Sequence, residues 1–272
     1  PWVVEMTKRL VAEHAQPGSR VIRIGLGLPG PISQPEGILI SPSRMPGWDG
    51  LDVAAELHRL SGVPAVVDND ANLMALGEHI SRNEDVNDFV FIKAGSSIGG
   101  GIIVGGELHH GHHGMAGDIS HVTVHGAPAT PCSCGRNGCL DAVAGGAAIV
   151  TSLQSASVAV DDTLGVLELA RNGHPLATQM LREAGMRTGT VLATVVNFSN
   201  PERIVLGGTL AEAGAFVAGV RSAIYTECLP LATDGLEVEV TQAKQRGGIM
   251  GAARVVLDRI LDADTVNQIV SV

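Results

Sequence analysis

The sequence predicts an α/β fold, as one large domain or as two lobes with a cleft between them, and three observations carry that expectation. Strand patterns rich in β-branched residues alternate with amphipathic helical ones. The most polar motif, Asp68-Asn69-Asp70, stands at the carboxyl end of a strand and beside the start of a helix. The length, 272 residues, exceeds the usual size of a single core and suits one large domain or two lobes with a cleft between them. In open α/β sheets ligands bind at such strand ends, where the next helix presents its free N–H groups.

The elements follow in order. Trp2 to His14 reads as a helix, and because the chain opens at Pro1 without Met, this helix is expected to continue from an earlier segment. Arg20 to Leu28 has the character of a strand, stopped by Pro29-Gly30-Pro31 in a loop that faces a ligand. Glu36 to Ile40 is a short strand, Leu51 to Leu60 an amphipathic helix opened by Asp49, and Pro64 to Val67 a buried strand feeding a helix over about Ala71 to Ser81. The second unit begins with Asp88 to Lys93, turns through Ala94-Gly95-Ser96-Ser97 and returns as Ile98 to Val104, a hairpin. Helices are expected over Asp141 to Ser155, Thr163 to Arg171 and His174 to Phe198, the last stopped by Asn200-Pro201 because proline drives the residue before it out of the helical region. A strand at Arg203 to Leu206, a Gly207-Gly208-Thr209 turn into a helix, a strand near Leu236 to Val240 and a helix from Gly248 to about Leu261 complete the chain.

Composition excludes several classes. Hydrophobic residues make up 45% and charged residues 17%, enough for a large core and unlike a disordered chain. A net charge of −10 without a dense Lys/Arg stripe repels phosphate backbones, so this chain alone is not expected to bind DNA. No apolar run is long enough to cross a bilayer and no basic-then-apolar leader opens the chain, which together predict a cytoplasmic protein without membrane contact.

His121, Cys132, Cys134 and Cys139 place three thiols and an imidazole in one short stretch. That is a closed tetrahedral set for zinc, and a closed site builds structure rather than polarising a substrate. Two disulfides are the arithmetical alternative, but only Cys228 lies apart, and it reads as a small hydrophobe in a helix. A second cluster, His109-His110 with His112-His113, lacks thiolate or carboxylate company and reads as a solvated loop. By strand alternation Asp68 and Asp70 share a side that Asn69 does not; one carboxylate caps the next helix or serves as a base, and the motif alone leaves both open. The run Gly95 to Gly101 fits a phosphate cradle or an ordinary hairpin, and matches neither the dinucleotide nor the Walker pattern.

Taken in order, several segments resemble the ROK family of repressors and sugar kinases: Gly27-Leu-Pro29-Gly30-Pro31, Ser41 to Trp48, Asp68 to Asn72 with Ala75 to Glu78, Gly95 to Gly101, Gly114 to His121, the Cys-x-Cys-Gly-x-x-Gly-Cys segment, and Ile204 to Gly208. The resemblance covers nearly the whole chain and implies the actin-like ATPase (ribonuclease-H-like) fold, two α/β lobes around a sugar-binding cleft: a first lobe over 1–86, N-terminally incomplete and completed by the C-terminal helical segment 248–272, and a second lobe over 87–247 that carries the cysteines. It implies that Asn69 and Asp70 grip a sugar, Asp70 being the position that in the kinases takes the proton from the C6 hydroxyl. Gly30 and Ser43 match further sugar contacts, and Asp118, His121 and Asp141 close around the other hydroxyls. His121 would bind zinc through one ring nitrogen and a hydroxyl through the other. Gly95, Ser96 and Ser97, with Gly207 and Gly208, fall at nucleotide positions.

Three departures from the family pattern stand out. Asp118 and Asp141 replace glutamates, Gly95-Ser96-Ser97 replaces Gly-Thr-Gly, and an Asp-x-Gly-Gly-Thr hairpin that holds phosphate is absent from these 272 residues, so ATP is not expected to be held productively. The Lys93-Ala-Gly-Ser-Ser and Ala116-Gly117-Asp118 phrasing resembles the regulators. The resemblance therefore implies the zinc-stabilised, effector-sensing domain of a transcriptional regulator, a homodimer with a small-molecule sugar as ligand and DNA reached only through a segment before Pro1. The alternative is a glucokinase-like, ATP-dependent hexose or aminosugar kinase with Asp70 as base and magnesium accompanying ATP.

Overall fold

The computed structural model describes residues 2–16, 18–34, 36–40, 42–83, 85–262 and 266–267. Ser41 of the motif before Trp48, and residues 263–265 and 268–272 of the anticipated closing segment, lie outside them. Helix α1 (Trp2–His14) is followed by β1 (Ile24–Leu28), β2 (Ile32–Ser33), β3 (Ile38–Leu39), α2 (Val53–Ser61), β4 (Ala65–Asn69) and α3 (Asp70–Ser81). β1 and β4 pair in parallel with Leu28 opposite Asn69, so the Pro29-Gly30 loop and the start of α3 leave the sheet side by side. Val4, Leu28, Leu39, Val53, Leu57 and Val67 form the core on this side of the cleft.

The second sheet contains β5 (Phe89–Ala94), β6 (Ile98–Val104), β7 (Glu107–Leu108), β8 (Arg203–Gly207) and β9 (Glu237–Val240), in the order β7-β6-β5-β8-β9. β5, β6 and β7 run antiparallel in sequence, while β8 and β9 add parallel to β5. Its central strands are apolar at successive positions because both faces are covered. Val90, Ile92, Ala94, Ile204 and Leu206 face the large core built by α4 (Leu140–Ala144), α5 (Gly146–Ser155), α6 (Thr163–Arg171), α7 (Pro175–Ser199) and α8 (Gly214–Glu227). Phe89, Phe91 and Val205, one residue out of phase, face Ala75 of α3.

After the short α9 (Pro230–Thr233), α10 (Gly247–Leu261) returns to pack on α3 and β1. It crosses α3 at glycines: a Cβ at Gly251 would lie 1.9 Å from the Leu73 carbonyl oxygen, and one at Gly77 1.9 Å from that of Gly247. No helix among the described residues is long and apolar enough to cross a membrane.

Four local expectations are corrected. The helix anticipated over Asp141 to Ser155 is two helices, broken at Gly145, whose extended backbone (ψ 154°) lets the N–H groups of Gly146 and Ala147 reach the Gly95 and Ser96 carbonyls at 2.8 and 3.0 Å. α2 is capped by Asp52, which accepts from the Ala55 N–H at 2.8 Å, and not by Asp49. A 3-10 turn (Thr209–Glu212) precedes α8. Cys228 lies one residue past α8, in extended conformation, half-buried against the large core.

Candidate functional site

The cleft is built first by the junction of β4 and α3. Asn69 holds the extended conformation of an N-cap: its Oδ1 accepts from the N–H of Ala71 (2.9 Å) and Asn72 (3.3 Å), and its Nδ2 donates to the Gly30 carbonyl at 2.9 Å. The cap is therefore neither carboxylate. Strand alternation ends at Asn69, so Asn69 and Asp70 both line the cleft, and the expectation that Asp68 and Asp70 share a side is overturned. Asp68 is buried behind, accepting from the Asn69 N–H (2.6 Å) and Asn72 Nδ2 (3.0 Å) and meeting His110 Nε2 at 2.7 Å. His110 thus leaves the histidine-rich loop for a carboxylate, which corrects its reading as merely solvated. Asp70, the first residue of α3, is paired through Oδ2 with Lys93 Nζ of β5 at 2.5 Å.

The opposite wall carries Asp118, His121 and Asp141. Asp118 Oδ1 accepts from the Ser120 N–H at 3.0 Å and from the Ser120 hydroxyl. Asp141, 6% exposed, accepts the Ile98 N–H on Oδ1 at 2.9 Å and holds Arg44 on Oδ2. Gly30, with φ +108°, and Ser43 line the same space. Lys93 and Arg44 are among the side chains that fill it, and the cleft measures only about 80 Å³. Pockets that accept small ligands typically hold about 300–1,000 Å³.

Beside His121 lies the cysteine segment. The ligand atoms of His121, Cys132, Cys134 and Cys139 all fall within 4.8 Å of one another, with Cys132 Sγ 3.5 Å from His121 Nδ1 and Cys134 Sγ 3.6 Å from Cys139 Sγ. Sulfurs bound about 2.3 Å from a tetrahedral zinc stand about 3.8 Å apart, so this spacing fits a metal ion. The knuckle is closed by its own backbone: Cys132 N–H donates to the Arg136 carbonyl at 2.8 Å and Gly135 N–H to the Cys132 carbonyl at 2.9 Å. The Arg136 backbone N–H brings the Cys134 thiol down to about 6, while burial pushes Cys139 up to about 12. A dication shared by the set would favour thiolate at every sulfur. With Nδ1 turned to the thiols, His121 keeps Nε2 for a second partner.

The glycine positions have internal duties. The Gly95 and Ser96 carbonyls accept from the first N–H groups of α5, and Ser96 Oγ lies 3.4 Å from Thr163 Oγ1. A Cβ at Gly207 would strike the Phe91 ring at 2.4 Å, and one at Gly208 the Ala94 carbonyl at the same distance. Of these five candidate nucleotide residues, Ser97 lines the cleft. Lys93, Arg44 and His110 were not singled out as site residues, although two of them stand inside quoted motifs; their partners are distant in sequence.

A model of the ROK family matches residues 1–259. The chain belongs to the ROK family. Among curated relatives, a glucokinase from Halalkalibacterium halodurans is 32% identical over 267 residues, covering 92% of this chain and 80% of the relative. The ROK family glucokinase from Streptomyces griseus, solved in complex with glucose and AMPPNP, superposes with a TM-score of 0.79 at 26% identity, covering 93% of this chain and 86% of that one. A ROK family transcriptional regulator, homolog of the E. coli MLC protein, gives 0.78 at 26%, covering 92% of this chain and 66% of that one. The fold is the actin-like ATPase fold of this ROK family, and its known members include both sugar kinases and repressors.

Proposed function

We propose that this ROK chain is a zinc-stabilised sugar-binding module, the effector-sensing part of a transcriptional regulator. Two lobes, 1–86 with the C-terminal helical segment and 87–247, close on the sugar. In this reading Asn69, Asp70, Asp118, His121 and Asp141, with Gly30 and Ser43, hold its hydroxyls, the zinc on His121 Nδ1 aims the imidazole, and DNA contact is left to other parts of the regulator. The single observation that carries it is the Lys93–Asp70 pair. A general base needs its carboxylate oxygen open to the substrate's proton. Here an ammonium from the opposite wall neutralises the carboxylate through Oδ2, an arrangement suited to exchanging hydrogen bonds with a ligand more than to removing a proton.

The kinase reading is favoured by a different observation: Asp70 lies in the cleft with Oδ1 outside the Lys93 contact, in a chain 32% identical to a glucokinase. Calorimetric titration with glucose, xylose and N-acetylmannosamine, beside an ADP-release assay with ATP and magnesium, separates the two. Sugar binding without sugar-dependent ADP release supports the sensor; turnover that disappears in Asp70→Ala overturns it in favour of the kinase. A homodimer belongs to the same reading, supported by neighbouring exposed apolar side chains Phe198, Leu229 and Leu231, and light scattering on the eluted protein measures it.

A further inference from the structure

Behind the Arg44–Asp141 pair lies a second cavity of about 770 Å³, bounded by the metal-binding segment at Pro131 to Ser133 and by α5 and α7. It shares Ser43, Arg44 and Asp141 with the cleft, so this ion pair is the partition between the two spaces. Asn69, Asp70 and Lys93 line the cleft and not the second cavity.

We propose that the second cavity receives the second ring of a disaccharide or glycoside whose first ring occupies the cleft, with Arg44 as the movable partition. This rests on the sugar-binding reading of the cleft. Size is the first argument: the second cavity alone falls within the range that accommodates small ligands, whereas the cleft does not until Arg44 or Lys93 withdraws. The partition is the second. Asp141 is fixed from the rear by the Ile98 N–H and is 6% exposed, whereas the Arg44 side chain is 40% exposed and is held at the cleft by that carboxylate. Withdrawal of Arg44 therefore joins the spaces and frees one Asp141 oxygen, at the wall between them, for a hydroxyl of the ligand.

The lining is the third argument. A pyranose presents hydroxyls at its rim and C–H groups on its faces. The cavity matches this with the Thr130 and Thr151 hydroxyls, the Arg187 guanidinium and the Glu183 carboxylate beside the apolar surfaces of Pro131 and Met180. Thr151 Oγ1 donates to the Ala147 carbonyl at 3.0 Å, which leaves its lone pairs to accept. Arg187 donates one N–H to the Val143 carbonyl at 2.6 Å and faces the Glu183 carboxylate at 3.9 Å, an ion pair too long for a hydrogen bond that leaves N–H groups for a ligand. Because Asp141 and not Asp70 stands at the partition, the linkage leaves the first ring at the end remote from the hydroxyl that meets Asp70.

Calorimetric titration of the whole chain tests this with glucose, xylose and N-acetylglucosamine against maltose, cellobiose, xylobiose and diacetylchitobiose. One disaccharide is expected to bind at least about tenfold tighter than its own monomer. Ala147→Trp, which fills the second cavity from an exposed position of α5, is expected to erase that advantage and leave monosaccharide affinity unchanged; Ser152→Trp repeats the test from the next turn, with circular dichroism as the folding control. Equal affinity for each disaccharide and its monomer, or an advantage that survives both tryptophans, overturns the inference while the sugar reading stands. Absence of binding by every sugar overturns both.

Discussion

Asn69 and Asp70 are adjacent in sequence and both line the cleft, yet their side chains face different demands. The Asn69 amide gives Oδ1 to the N-cap of α3 and one Nδ2 hydrogen to the Gly30 carbonyl, so it fixes the geometry of the cleft before any ligand arrives and keeps one N–H to donate. Asn69→Ala is expected to cost about 1–2 kcal/mol of folding stability, the value of a lost N-cap, read as a lower midpoint in urea unfolding with unchanged slope. Asp70 is different, because its side chain is paired with the Lys93 ammonium across the cleft. A hydrogen bond to a charged group contributes about 1.5–3 kcal/mol, so Asp70→Asn is expected to weaken sugar binding about 10- to 100-fold in calorimetry. Lys93 retains some solvent contact, at 18% exposure, and its loss of partner costs less stability than full burial would impose. A variant that binds sugar as tightly as the parent chain would remove Asp70 from the site.

At the scale of elements, the cysteine segment that could hold a metal lies beside His121 in the cleft, and the α3–α10 crossing packs behind the helix that carries Asp70. Isolated protein is expected to carry one zinc per chain by elemental analysis. Cys134→Ser or a strong chelator is expected to lower both the metal content and the thermal midpoint, and to weaken sugar binding because His121 loses the partner that aims its ring. At the crossing, Gly251→Ala sets a methyl 1.9 Å from the Leu73 carbonyl oxygen, and overpacking of this kind costs about 1–3 kcal/mol or more, measurable in the same unfolding experiment. The sheet strands were legible in the sequence because β5 and β8 are covered on both faces and so read as unbroken apolar runs. The cluster that could hold a metal was legible because its four residues lie within one stretch from His121 to Cys139. The break at Gly145 was not, since it is imposed by the carbonyls of Gly95 and Ser96 some fifty positions earlier, outside any local window. β2, β7 and α9 are too short, at two to four residues, to show periodicity. Arg44–Asp141 and His110–Asp68 join positions 97 and 42 residues apart, so the composition of the cleft was readable while its internal pairing was not.

For the molecule as a whole, the consequence lies in where those pairs sit. Arg44 precedes α2 and Asp141 opens α4; Asp70 opens α3 and Lys93 lies on β5; Asp68 ends in β4 and His110 follows β7. Each contact therefore joins residues on either side of position 87, and two of the three, Arg44–Asp141 and Lys93–Asp70, lie in the cleft, on carboxylates that the proposed reading assigns to the sugar. In the sugar-binding reading a ligand replaces the two cleft contacts with its own hydroxyls, and it shifts the lobes only insofar as it binds the rearranged form better than the latched one. The latch is electrostatic and partly exposed, so salt weakens it: the screening length falls from about 10 Å at 0.1 M to about 3 Å at 1 M. Small-angle scattering should accordingly show a larger radius of gyration on raising salt to about 1 M, and a smaller salt response in Arg44→Ala combined with Lys93→Ala, where two of the contacts are already gone. Saturating sugar should also change the profile at low salt, since the same contacts are displaced by ligand rather than screened. Profiles that superpose with and without saturating sugar would mean that the walls do not move on binding, and a sensor that reports through lobe angle would then have no signal to transmit.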